Sequence, residues 1–269
     1  MNLSPSASLD DQVLLERRGH LLVITINRPE ARNAINVEVS MRIGEALDFA
    51  DSETEVRAVV ITGAGDLAFS AGQDLKEAAL GIRPTDPRMN RWGFAGITKH
   101  STSKPIIAAV NGAALGGGAE IAMASDVIVA SETATFGLPE VRRGIIAGAG
   151  GAFRLGKQIP PKIALEVMLT GTALTAEKAL KYGLVNKVVP AGNALDEACV
   201  LADLIAANAP VAVQATKRLA RGIASGQIDS ETLQWARTST EMEIIRSSAD
   251  AQEGIRAFIE KRQPEWRGN

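Results

Sequence analysis

Two glutamates stand where carboxylates are seldom found. Glu120 closes the stretch "NGAALGGGAE" and is followed by "IAMAS", so every neighbour is apolar or small. Burying a carboxylate disfavours its charged form and raises its pKa toward the range useful for proton transfer at neutral pH. Glu140 lies in "TFGLPEVRRG", after Pro139 and before Arg142 and Arg143. The structural alternative for Glu120 is an ion pair with a distant arginine, the less favoured reading in such surroundings, whereas Glu140 read singly is an exposed first-turn acid beside its own arginines. Glycine-rich turns change that reading. Gly116, Gly117 and Gly118 stand where a helix begins after the apolar run "PIIAAV", and Ala71 and Gly72 come shortly before another helix after "VRAVVITG". N–H groups at a helix start lack intrahelical partners and carry the positive end of the dipole. With no side chain in the way they can reach a developing oxyanion. Taken alone, such glycines are tight turns or close helix–strand contacts. Two oxyanion donors beside two carboxylates form an enolate trap with an acid and a base.

Competing chemistries find less support. Neither turn carries G-x-G-x-x-G, and no Walker pattern occurs, which argues against a nucleotide-phosphate cradle. His20 and His100 lack metal-ligand spacing, and Ser70 in "FSAG" is not in a nucleophile elbow. Cys199 is the only cysteine, so an internal disulfide and a cysteine-rich metal site are excluded. A net charge of −2 gives no electrostatic case for nucleic acid or an anionic membrane. The opening "MNLSPSASLD" has neither a basic nor an apolar signal region, and no apolar run reads as a membrane span. The expectation is a cytoplasmic protein that binds neither nucleic acid nor membrane and holds no metal.

The elements that must position these residues follow from the hydrophobic pattern. Residues 13–17 and 21–27 are β-rich runs split by Gly19, a hairpin signal, and an amphipathic helix starts at Val37. Continuous apolar runs at 56–63, 105–110 and 126–130 read as buried strands, with a helix from Asp74 and a polar loop over 81–90 between them. Strands alternating with helices give an α/β protein with largely parallel sheets. Two short helices and a last strand at 183–190 follow. Beyond 193 the pattern is helical over 194–208, 210–222, 230–247 and 251–262, the last with Asp250 as its N-cap and Glu253 three residues on. The expected organisation is a flexible tail at 1–10, an α/β core at 11–192, and a helical region at 193–269 that docks on another subunit.

The segments "FSAGQDLKE", "AAVNGAALGGGAEIAMASDVIVA" and "FGLPEVRRGIIAGAGGAFRL" together resemble the signature regions of the crotonase superfamily, the enoyl-CoA hydratase/isomerase family. The likeness runs from "RRGHLLVITINRPEARNAIN" to "GIRAFIEKRQPEWRG", nearly the whole chain. It implies a spiral of ββα repeats with a C-terminal helical region that builds a homotrimer or homohexamer. It also implies an acyl-CoA thioester substrate and no cofactor, coenzyme A being part of the substrate. Matched by position, the oxyanion hole falls on Ala71 and Gly117 and the catalytic pair on Glu120 and Glu140. Substrate and CoA contacts fall on Ala31, Ala71, Gly72, Gln73, Asp74, Leu75, Gly116, Gly117, Phe258 and Lys261. Retention of both glutamates favours a hydratase or its reverse, a dehydratase, over an isomerase or a non-catalytic CoA- or RNA-binding relative. Three positions depart from the common pattern: Ala147 stands for a frequent proline, Ala113 for a frequent aromatic, and Glu30 for a basic residue. "SAGQDLKEAALG" and "RWGFAGITKH" are more similar to the carnitinyl-CoA dehydratase branch.

Overall fold

An apolar strand, a small-residue turn and a helix recur along the chain, and each repeat feeds two sheets. The computed structural model describes residues 11–82 and 84–269; the tail expected at 1–10 lies outside the described residues. A hairpin of β1 (Val13–Arg18) and β2 (Leu21–Ile26) opens the fold and leads into α1 (Val37–Ser52). Asn36 caps α1 by accepting from the Val39 N–H at 2.9 Å, and Val39, Ile43, Ala46, Leu47 and Ala50 fall on its buried face. Three repeats follow. The first is β3 (Ala58–Gly63), β4 (Ala68–Ser70) and α2 (Leu75–Ala79), with α3 (Arg88–Trp92) after it. The second is β5 (Ile106–Val110), β6 (Ala113–Leu115) and α4 (Gly117–Ala124). The third is β7 (Val127–Ser131), β8 (Thr135–Gly137), a 3-10 turn over Pro139–Arg143, and α5 (Gly151–Gln158). Then come α6 (Pro161–Thr170), β9 (Leu174–Thr175), α7 (Ala176–Lys181) and β10 (Lys187–Val189).

The longer strand of each repeat joins a six-stranded sheet of order β1-β2-β3-β5-β7-β10, parallel except for the first pair. The shorter strand joins a second sheet of order β4-β6-β8-β9. Every residue of β3 and β5 is buried, which is why those runs are apolar without alternation. The short strands escape a reading of the sequence. Three residues are too few to show a period, and Ala-Phe-Ser or Ala-Ala-Leu carries little β preference.

The region after 192 is helical: α8 (Ala194–Ala206), α9 (Pro210–Arg221), α10 (Thr232–Ser247) and α11 (Ala249–Ile259), with a small hairpin of β11 (Ile223–Ala224) and β12 (Gln227–Ile228). Its first helix belongs to the sheet's own layer. Ala194, Ala198, Ala202 and Ala206 form a stripe at four-residue spacing that packs on Val60, Ile107, Ala109 and Val129. Helix α9 is pinned by Asp126, which takes Lys217 at 2.7 Å and Arg221 at 3.0 Å. The N-cap of α11 is Ser248, accepting from Ala251 N–H, in place of the expected Asp250. The Asp250 carboxylate instead accepts from the Arg267 and Gly268 N–H groups and ties down the chain end. Among the described residues, no single helix is long and apolar enough to cross a membrane.

Candidate active site

Glu120 lies one turn into α4 and is 3% exposed. Its Oε1 accepts from the N–H of Ala149 at 2.7 Å and of Gly151 at 2.8 Å, so the backbone entering α5 cradles one side of the carboxylate. Burial pushes Glu120 up to about 7, against the opposing pull of those N–H groups and of Arg154. Glu140 rides on the 3-10 turn of the third repeat. Burial, and then the negative charge of Glu120, push it up to about 8. Its Oε2 is buried with no hydrogen-bond partner among the described residues. Neither glutamate is a structural ion-pair acid: among the described residues Glu120 has no salt bridge, and Glu140 pairs with neither Arg142 nor Arg143. Arg142 turns to the Thr170 carbonyl, and Arg143 lies over the Phe258 ring at 4.4 Å.

The glycines of α4 admit contacts that a side chain would forbid. A Cβ on Gly118 would meet the Ser70 carbonyl at 2.0 Å, and one on Gly117 would meet the Phe94 ring at 2.4 Å. Gly72, at φ +87°, lies over Gly117, its virtual Cβ 2.7 Å from the Gly117 nitrogen. The two strand-end turns are therefore in contact, and the Gly117 N–H, at the helix start, has no acceptor among the described residues.

Its expected partner is displaced by two residues. Ala71 N–H donates to the Arg32 carbonyl at 3.0 Å and is not free. Gly72 N–H is held by Ser70 Oγ, and Asp74 N–H by the Ile35 carbonyl. In that turn only Gln73 has an N–H without an acceptor among the described residues. Asn33 fixes this arrangement. Fully buried at φ +55°, it donates to the Ala68 and Ala64 carbonyls, while its own carbonyl takes Ser70 Oγ.

A cavity of about 770 Å³ opens beside the pair, within the size range of ligand pockets. Gln73, Asp74, Phe94 and Ala149 line it on the core side, and Trp235, Thr238 and Met242 of α10 close it. Glu120 sits one residue behind that wall, held by the Ala149 N–H, and Glu140 lies against Gly116. Of the other expected contacts, Gly72 and Gly116 serve the turns, Gly116 facing Glu140 Oε1. Asp74 caps α2 and pairs with Arg28 at 2.9 Å, which makes it a structural carboxylate. Ala31, Leu75, Phe258 and Lys261 do not line the cavity. The Ala149–Gly151 cradle and the α10 wall were not expected from the sequence, whereas Phe94 lies in the Gly81–Lys99 loop expected to shape the acyl pocket. The cluster "GAGG" at 148–151 before a helix was the one available signal.

The scaffold and site define a class: a two-sheet repeat protein that sets a buried and a half-buried carboxylate beside two backbone donors without acceptors among the described residues. The family model described as enoyl-CoA hydratase/isomerase matches residues 16–269. The chain is 43% identical over 264 residues to a carnitinyl-CoA dehydratase of Salmonella enteritidis, covering 97% of this chain and 100% of the relative. It is similar in structure to a carnitinyl-CoA hydratase from Mycobacterium avium, at TM-score 0.94 and 52% identity, covering 96% of this chain and 99% of the other. It also resembles an enoyl-CoA hydratase from Mycobacterium tuberculosis, at TM-score 0.74 and 43% identity, covering 96% and 99%. The chain belongs to the enoyl-CoA hydratase/isomerase family, the crotonase superfamily.

Proposed function

We propose that the protein is a hydro-lyase that adds water reversibly across the double bond of a 2-enoyl-CoA thioester. The observation that carries this reading is the pairing of buried Glu120 with half-buried Glu140, both pushed to near-neutral pKa, beside the N–H groups of Gln73 and Gly117 that have no acceptor among the described residues. The thioester oxygen accepts from both N–H groups. A water held between the carboxylates attacks C3 and gives its proton to Glu120. The electron pair of the double bond moves into the thioester as an enolate, and Glu140 delivers its proton to C2. Glu120 is the better base because two N–H groups already hold its Oε1, stabilising the ionised form. Glu140 accepts no such bond at Oε2 and keeps its proton to a higher pH. An isomerase needs one proton shuttle; two poised carboxylates suit addition of water, and the hydratase and dehydratase names of the relatives agree.

The same reading gives Phe258 and Lys261 a use outside this chain's own cavity. They meet CoA in an assembly of copies, a homotrimer or homohexamer, for which the exposed Leu233, Ile244 and Ile259 supply apolar surface. Loss of the enoyl absorbance of crotonyl-CoA on adding the protein tests the reaction. Migration of the double bond without uptake of water would replace it with an isomerase.

A further inference from the structure

The cavity is lined by the carboxylates Asp74, Glu77, Asp86 and Glu243 and by the cations Lys99 and Arg246, of which Lys99 lies over the Trp235 ring. The Ala149–Gly151 backbone that cradles Glu120 meets α10 on its other side: a Cβ on Gly150 would lie 3.0 Å from Trp235 Cη2. Cations already occupy the Trp235 ring, with Lys99 Nζ 4.5 Å and Arg154 Cζ 5.4 Å from its centroid. Thr98 and Lys99 both line the cavity here. Thr98 Oγ1 is buried without a hydrogen-bond partner among the described residues. Lys99 Nζ has neither a carboxylate nor a carbonyl acceptor among them. The carboxylate nearest in this group, Glu231, is bound by Arg154 through two hydrogen bonds of 2.9 and 2.6 Å. A quaternary ammonium on the acyl chain would meet an aromatic ring already facing the Arg154–Glu231 ion pair and Lys99, whose charge is unpaired among the described residues.

We infer that the acyl group bears a carboxylate at its far end, received by Lys99 Nζ and Thr98 Oγ1, so that this chain acts on monothioesters of unsaturated dicarboxylic acids and disfavours a trimethylammonium acyl group. The inference rests on the hydro-lyase reading for its placement of C2 and C3 beside the glutamates. Glu243 also lines the cavity and is the acid a cationic acyl group would use instead. The test compares three thioesters of similar length: glutaconyl-CoA, crotonyl-CoA, and the trimethylammonium derivative of crotonyl-CoA. Wild type should show its highest kcat/KM on glutaconyl-CoA. Lys99→Met should lower the glutaconyl-to-crotonyl ratio of kcat/KM about tenfold or more, as expected when a polar partner is lost, mainly through KM. Lys99→Glu should shift preference toward the cationic thioester. Wild type preferring the cationic thioester would overturn the inference, as would a ratio unmoved in both variants or a cationic preference lost in Glu243→Gln. Calorimetric binding of the saturated counterparts (glutaryl-CoA, butyryl-CoA and the trimethylammonium derivative of butyryl-CoA) reads the same order without turnover. Absence of hydration with all three enoyl thioesters therefore sinks the hydro-lyase reading alone, while the binding order still decides the charge preference.

Discussion

At the scale of single residues, the proposed reaction rests on two carboxyl groups sharing about one proton near neutrality. With Glu120 at about 7 and Glu140 at about 8, the pair holds one base and one acid only between those values. The pH profile of kcat/KM should be bell-shaped, falling at low pH as Glu120 protonates and at high pH as Glu140 ionises. The stability sign is the reverse of an ordinary acid. Folded pKa values above the unfolded value of 4.5 mean that the folded state binds more protons, so this contribution weakens as pH rises from about 4.5 to about 8. Glu140→Gln should therefore raise the Tm relative to wild type above pH 8 and change it little at pH 4. Glu120→Gln and Glu140→Gln should each lower kcat by about 10²–10⁴-fold while CoA binding persists, measured by turnover and calorimetry.

At the scale of elements, the site depends on turns that let two helix starts touch. Gly118→Ala forces a methyl into the Ser70 carbonyl, and both partners are fixed backbone, so we expect a loss of about 1–3 kcal/mol in urea unfolding. Much of this was legible beforehand. The three long buried strands, α1 and the order of the C-terminal helices follow from apolar period and length; Glu120 stood out by its apolar surroundings, and Glu140 only as part of a set with Glu120 and the glycine turns. The second sheet was not legible, because its strands are two or three residues long and exist by pairing with one another. Nor was the choice between Ala71 and Gln73. Which N–H of a turn is free depends on where the carbonyls of Arg32 and Ile35 fall, and those come from a segment some forty residues earlier in the chain. The α10 wall was hidden for the same reason: its contact with the Ala149–Gly151 backbone is tertiary.

At the scale of the molecule, the helical tail is coupled to Glu120 through Arg154. Arg154 of α5 is buried against Glu231 at the start of α10 and also holds Glu120 down electrostatically. Arg154→Met leaves Glu231 as a buried charge without its partner and should cost about 3–5 kcal/mol. The double variant with Glu231→Leu should recover most of that loss in the same unfolding assay. In that double variant Glu120 also loses a neighbouring cation. The acid limb of the activity profile should therefore move to higher pH, a shift that a purely structural role for the pair would not produce. The central claim is that this fold adds water through Glu120 and Glu140, and hydration in heavy-oxygen water followed by mass spectrometry tests it most directly. Wild type should place labelled oxygen at C3 of the 3-hydroxyacyl-CoA product, and neither glutamate variant should do so above background. A shifted double bond carrying no label, or full labelling by both variants, would contradict it.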